Sequence, residues 1–234
     1  MNPIRLVLAY DSALLRTALR LLLEKEPGLT VVTEADSAES VQTYMRHNRP
    51  DVVVMSISAR SGMGTSLIEW LVRHHPSCRV VALSPRDEAS IVRLLISAGA
   101  AAYVCDKSPP SELFAAIREA AHGRTYIDQH VARGADRGLL GNMKGGQTVG
   151  RARRRPFLSR RETEVLKLLA RGYTNQQVAD TLTLSVKTAE TYRVRLTRKL
   201  GVKTRAELFR YAYEVGMIGP DQLSGESMND TVML

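Results

Sequence analysis

The regular alternation of two hydrophobic periods over the first 121 residues most constrains the fold. Five short apolar runs stand at Ile4–Ala9, Leu29–Glu34, Val52–Ile57, Arg79–Leu83 and Ala101–Cys105. They are rich in Val, Ile and Leu and do not strictly alternate with polar residues, as expected for strands covered on both faces. Between them lie stretches of helical period, from Ala13 to about Lys25, Ser37 to His47, about Thr65 to His74, Asp87 to Ala98, and near Pro110 to Gly123. Ser37 is a helix-capping residue at one start, and Gly99 and Gly123 suit helix ends. A (βα)5 order argues for a parallel sheet with helices on both faces. Such sheets bind ligands at the carboxyl ends of their strands. The residues to inspect there are Tyr10, Asp11, Ser56, Ser84 and Asp106.

From Leu158 the period is purely helical. LSRRETEVLKLLARG begins with Ser159 and has Glu162 three residues on, the pattern of a capping box, and closes on Gly172. Further helices are expected at about Asn175–Leu182, from Ser185 to before Gly201, and at about Thr204–Val215. A tight turn around Thr183 and Leu184 would join the middle two as a helix-turn-helix. The third helix, LSVKTAETYRVRLTRKLG, is unusually basic, which suits a DNA major groove.

The charge is distributed to match. Residues 1–121 carry 13 Lys and Arg against 13 Asp and Glu, whereas residues 122–157 and 158–217 each carry a net +6. A neutral half joined to a basic half points to a polyanionic partner for the second half only. Arg outnumbers Lys 26 to 7, but compositional bias alone would spread that excess evenly. Residues 122–157 are glycine-rich and polar and are read as a flexible basic linker without strands, with one weak helix near Ile127–Ala132. The run RARRR at 151–155 suggests an auxiliary contact with DNA phosphates. Residues 218–234 hold three acids and no Lys or Arg, and are expected to form a disordered tail. No apolar run reaches the roughly 18 residues of a membrane helix, and the amino-terminal stretch MNPIRLVLAY, short and polar from Asp11, is not expected to act as a targeting peptide. With two cysteines in unrelated contexts, Cys78 and Cys105, a reducing, cytoplasmic setting without a disulfide framework or metal cluster is expected.

Residues 1–121 resemble a response-regulator receiver domain, and the whole chain resembles the NarL/FixJ family. That resemblance implies a flavodoxin-like fold with strand order 2-1-3-4-5. It also implies an acidic pair after the first strand, a phospho-accepting Asp after the third, a Ser or Thr after the fourth and a Lys after the fifth. The three acids would hold Mg2+. Here the acidic pair is Tyr10 and Asp11, the acceptor position holds Ser56 within PDVVVMSISARSGMG, and VCDKSPP puts Asp106 where the Lys belongs, with Lys107 one position late. Only Asp11 and Ser84 match. Strand side chains alternate faces, so a one-residue offset turns Lys107 the wrong way. Mg2+ needs several hard oxygen ligands, and a serine phosphate is a stable ester, so aspartyl-phosphate switching is not expected. Three readings of the pocket stand side by side. It is a relic in a domain that only dimerises; it binds a small polar molecule through Tyr10, Ser56, Ser84 and Arg60; or Ser56 is modified by a serine kinase.

The second half resembles the LuxR-type helix-turn-helix over about 60 residues, carried by LSRRETEVLKLLARGYTNQQVA and LSVKTAETYRVRLTRKLGV, with Tyr192 where His is common. By that resemblance Lys187, Thr188, Glu190, Thr191 and Val194 fall on or near the base-facing side. Thr174, Asn175, Arg193, Arg195, Arg198, Lys199, Lys203 and Arg205 are assigned to phosphates. The implied function is a bacterial DNA-binding transcription regulator acting as a dimer on double-stranded promoter DNA, without aspartyl phosphorylation. No catalytic residues, cofactor or metal are expected. The alternative is an adaptor that binds DNA only as a heterodimer with another regulator, or after a small-molecule ligand enters the receiver pocket. An enzymatic, self-dephosphorylating receiver is disfavoured by the absence of Asp at position 56.

Overall fold

In the computed structural model, which describes residues 2–134 and 158–218, the alternating runs become strands at almost the expected bounds. They are β1 (Ile4–Ala9), β2 (Leu29–Ala35), β3 (Val52–Ser56), β4 (Arg79–Ser84) and β5 (Ala102–Cys105). The helices between and after them are α1 (Ala13–Glu24), α2 (Ala38–His47), α3 (Thr65–His74), α4 (Ala89–Ala98) and α5 (Pro110–Ala121). These five strands pair in parallel in the order β2-β1-β3-β4-β5. Strand alternation divides the core in two. Val7, Val53 and Val80 face α2, α3 and α4, while Leu6, Leu8, Val52 and Val54 pack with Leu23 of α1 and Leu113 and Ile117 of α5. Each fully buried Leu or Val contributes about 1.5–3 kcal/mol through removal from water.

The sixth strand corrects the expectation that residues 122–157 lack strands. β6 (Tyr126–Ile127) adds to the free edge of β5, and α6 (Gln129–Gly134) follows it. Asp128, between them, is fully buried. Its carboxylate accepts from Ser108 Oγ at 2.8 Å, from the Val131 N–H at 2.8 Å and from the Cys105 N–H. These bonds hold the new strand against the loop after β5, so a buried anion is satisfied where an unpaired one would be costly.

The second half forms α7 (Arg160–Ala170), α8 (Asn175–Leu182), α9 (Val186–Leu200) and α10 (Arg205–Glu214). Ser159, Thr174 and Thr204 each close a capping box, with Glu162, Gln177 and Glu207 respectively. Ser185 caps α9, and Gly201 ends it in the left-handed region at φ 71°. The turn between α8 and α9 puts Thr183 at φ 53°, the one non-glycine residue with positive φ among those described.

The two halves also pack against each other, which no local sequence pattern announced. The Thr65 N–H donates to the Val215 carbonyl at 3.1 Å, and Tyr211 Oη donates to the Ser90 carbonyl at 3.0 Å. Arg86 pairs with Glu214. Gly64 and Gly216 meet backbone to backbone, since a Cβ on Gly64 would lie 2.4 Å from Gly216 Cα. Ile218, expected as the first residue of the tail, is buried in this shared core. The rest of that tail, the basic run at 151–155 and the linker beyond Gly134 lie outside the described residues.

Candidate functional site

The carboxyl ends of β1, β3, β4 and β5 converge on a cavity of about 570 Å³ lined by Tyr10, Asp11, Ser56, Ser84 and Asp106, as the strand order requires. Ser56 ends β3 and is 6% exposed, and its hydroxyl has no hydrogen-bond partner. Asp11 accepts from Ser58 Oγ at 2.7 Å, a contact the sequence reading did not single out. Ser84 Oγ accepts from the Arg86 N–H at 3.3 Å. The Tyr10 phenol is pushed above its ordinary pKa by burial first, then by the charges of Asp106 and Asp11, so it stays a neutral hydroxyl.

Two expected contributors stand elsewhere. Lys107 does not line the cavity; it sits in the turn after β5, and its ammonium reaches out to Asp87 at 3.2 Å. Arg60 is exposed in the loop after β3 and is also absent from the lining. The donors present do not fit Mg2+ and an acyl phosphate. Of the three acids the resemblance implies for Mg2+ only Asp11 is present, Ser56 is a neutral hydroxyl, and Asp106 replaces positive with negative charge. Among the described residues, no group of three or more His, Cys, Asp or Glu side chains is placed to hold a metal. Cys78 and Cys105 are free and buried, and burial pushes the Cys78 thiol up to about 12.

The second candidate surface is the outer side of α9. Ala189, Leu196 and Leu200 anchor its inner side. At about 100° per residue, Lys187, Glu190, Thr191, Val194 and Arg198 share the opposite face, with Arg195 on one flank and Arg193 on the other. All seven are exposed. Val194 is 63% exposed, an apolar side chain presented on a basic helix, suited to a thymine methyl. The remaining assignments are more constrained. Thr188 is half-buried and its hydroxyl bonds Ser185 Oγ at 2.7 Å. Thr174 caps α8, and Asn175 begins that helix half-buried. Lys203 and Arg205 are exposed, the latter donating to the Tyr173 carbonyl at 3.3 Å.

Lys199 is placed differently from its phosphate assignment. Its ammonium lies 2.7 Å from Glu162 Oε1, and Glu162 is buried at the start of α7. Burial opposes ionisation of Glu162, but hydrogen bonds from Lys199 and Ser159 outweigh it and hold the carboxyl below the usual range. Lys199 thus clamps the start of α7 to the end of α9. The two residues are 37 apart in sequence, so no local pattern could pair them.

Comparisons with known proteins cover both halves of the chain. Residues 6–118 match the response regulator receiver domain, and residues 156–212 match the bacterial regulatory proteins of the luxR family. The chain is 32% identical over 212 residues to the oxygen regulatory protein NreC of Staphylococcus carnosus, covering 89% of this chain and 96% of that protein. The chain belongs to the NarL/FixJ response regulators with a LuxR-type output domain. It is a DNA-binding response regulator of that type, with the flavodoxin-like receiver followed by a helical output domain. Solved structures share the fold. One of two RcsB dimers bound to two parallel DNAs is 24% identical, with a TM-score of 0.62 and coverage of 92% of this chain and 100% of that one. Another, of RcsB from Salmonella enterica serovar Typhimurium bound to the P1flhDC promoter, is 23% identical, with the same TM-score and coverage. Among the described residues of this regulator, no helix is long and apolar enough to cross a membrane.

Proposed function

We propose that this regulator binds promoter DNA as a dimer through the outer face of α9 and does so without an aspartyl phosphate, in the cytoplasm. The observation that carries the DNA reading is the single exposed face holding Lys187, Glu190, Thr191, Val194 and Arg198. It combines donors, an acceptor and an apolar group, as base-edge reading requires, between two flanking arginines suited to phosphates. Independence from acyl phosphate is supported by Ser56 at the acceptor position and by the Lys107 ammonium lying on Asp87. Pairing is supported by Leu14 and Leu21 of α1, which are 79% and 51% exposed. Large exposed apolar side chains on one helix favour self-association. Each subunit would read a half-site about one helical turn from the other.

The test is a mobility-shift titration of the full chain on DNA selected from genomic fragments. Lys187→Ala removes a base-facing donor and should cost about 1–3 kcal/mol at the cognate site. Arg198→Ala should weaken binding as well and lower the dependence on salt. Unchanged binding in both variants would refute the groove assignment. Binding seen only after a second regulator is added would replace the homodimer by a heterodimer.

A further inference from the structure

We propose that the cavity at the carboxyl end of the receiver sheet is a binding site for a small organic cation, a protonated amine carried on an apolar body. This rests on the reading that the pocket takes no acyl phosphate. Its volume of about 570 Å³ lies within the range of small-molecule sites. The walls are apolar, with Leu15, Leu19 and Leu22 of α1 facing Pro109, Pro110 and Leu113 of the α5 start.

The polar end has one sign of charge. Asp11 and Asp106 line it, and no Lys, Arg or His does. The cations nearest in sequence lie off the lining: Arg60 is exposed in the loop after β3, and Arg86 pairs with Glu214. Lys107 lies on Asp87, while Arg16 donates to the Tyr10 carbonyl at 2.5 Å and to Glu34 at 3.2 Å. An anion entering here would meet two carboxylates without a counter-charge, whereas an ammonium would be held by both.

A second, independent observation points the same way. Ser56 is 6% exposed, lines the cavity, and its hydroxyl oxygen has no partner. Buried hydroxyls in folded proteins are nearly always bonded, so this one calls for a donor from a guest. An ammonium N–H supplies it, and its remaining protons suit the carboxylates and the neutral Tyr10 hydroxyl. The same cavity that disfavours a phosphoryl group therefore has the donors and acceptors of an amine receptor.

The full-length chain is titrated with three matched probes, 2-phenylethylammonium, 2-phenylethanol and 3-phenylpropionate, by ligand-observed NMR and thermal shift. The ammonium should bind about tenfold tighter than the alcohol, and the carboxylate should not bind. Asp11→Asn should erase most of that preference. Ser56→Ala should raise the melting temperature of the free protein yet weaken the ammonium several-fold, an opposition that a purely structural role does not produce. Equal binding of alcohol and ammonium, or binding of the carboxylate, overturns the proposal. Labelling of the chain by acetyl phosphate with Mg2+ would instead overturn the phosphate-free reading beneath it. No labelling together with no preference for the ammonium would overturn the amine site alone.

Discussion

Replacing Lys199 by Met separates a residue that holds the output domain together from one that touches DNA. Glu162 is 7% exposed at its side chain and accepts from Lys199 Nζ at 2.7 Å and from the Ser159 N–H at 2.8 Å. Losing a hydrogen bond to a charged, buried carboxylate costs about 1.5–3 kcal/mol. The Lys199 side chain is 41% exposed, so solvent already screens part of the attraction. A loss of about 1–2 kcal/mol is the discounted figure. For a domain of this size that lowers the melting temperature by about 4–8 °C per kcal/mol. Thermal and urea denaturation at neutral pH would measure it, and the Glu162→Gln, Lys199→Met double variant should recover part of the loss. The pH dependence has a defined sign. The folded-state pKa of Glu162 is depressed, so its contribution is complete above the unfolded carboxylate value of about 4.3 and is lost as pH falls through the folded value. The gap between parent and Lys199→Met should therefore close in acid. A variant that melts like the parent, but whose DNA affinity falls with a salt slope reduced by about one, would refute this and restore Lys199 as a phosphate contact.

Three further substitutions probe other parts of the fold. Thr183→Gly relieves a β-branched residue at φ 53° and should stabilise the helix-turn-helix by about 0.5–1 kcal/mol, read as a higher urea midpoint; a lower midpoint would contradict it. Asp128→Ala strips the acceptor from three donors and should cost about 2–4 kcal/mol, with faster amide exchange at Cys105 and in β6; exchange unchanged there would refute the anchoring role. Gly64→Ala drives a Cβ to 2.4 Å from Gly216 Cα, an overpacking cost of about 1–3 kcal/mol borne by the contact between the halves. It should open that contact, seen as a larger radius of gyration in solution scattering, and an unchanged radius would show that the contact is not closed in solution.

What the sequence made legible follows from how local each determinant is. Strands β3, β4 and β5 and most of β1 are buried on both faces, so they stand out as apolar runs, whereas the edge strand β2, LTVVTEA, is half-buried and shows as a shorter one. The outward face of α9 follows from helical period alone. The position of Lys107 does not follow from strand alternation, because β5 ends at Cys105 and Lys107 stands in the turn beyond it, drawn to Asp87. β6 escaped because two apolar residues, Tyr126 and Ile127, carry no period. Asp128 escaped because one carboxylate in a polar, glycine-rich segment looks solvated until its donors arrive from the β5–α5 loop and α6. Glu162 was legible as half of a capping box but not as the partner of Lys199. The packing of α10 on α3 and α4 depends on Gly64 and Gly216 meeting across a long sequence separation, and each glycine alone reads as an ordinary turn.

The most direct measurement is the equilibrium affinity of the full chain for its selected promoter fragment. It is taken by fluorescence anisotropy at fixed salt, with and without acetyl phosphate and Mg2+. Sequence-specific binding with the same Kd in both conditions is expected, abolished by removing the exposed cations of α9. A Kd that tightens when the phosphodonor is added, with a base-labile phosphoryl group appearing on the receiver, would contradict it.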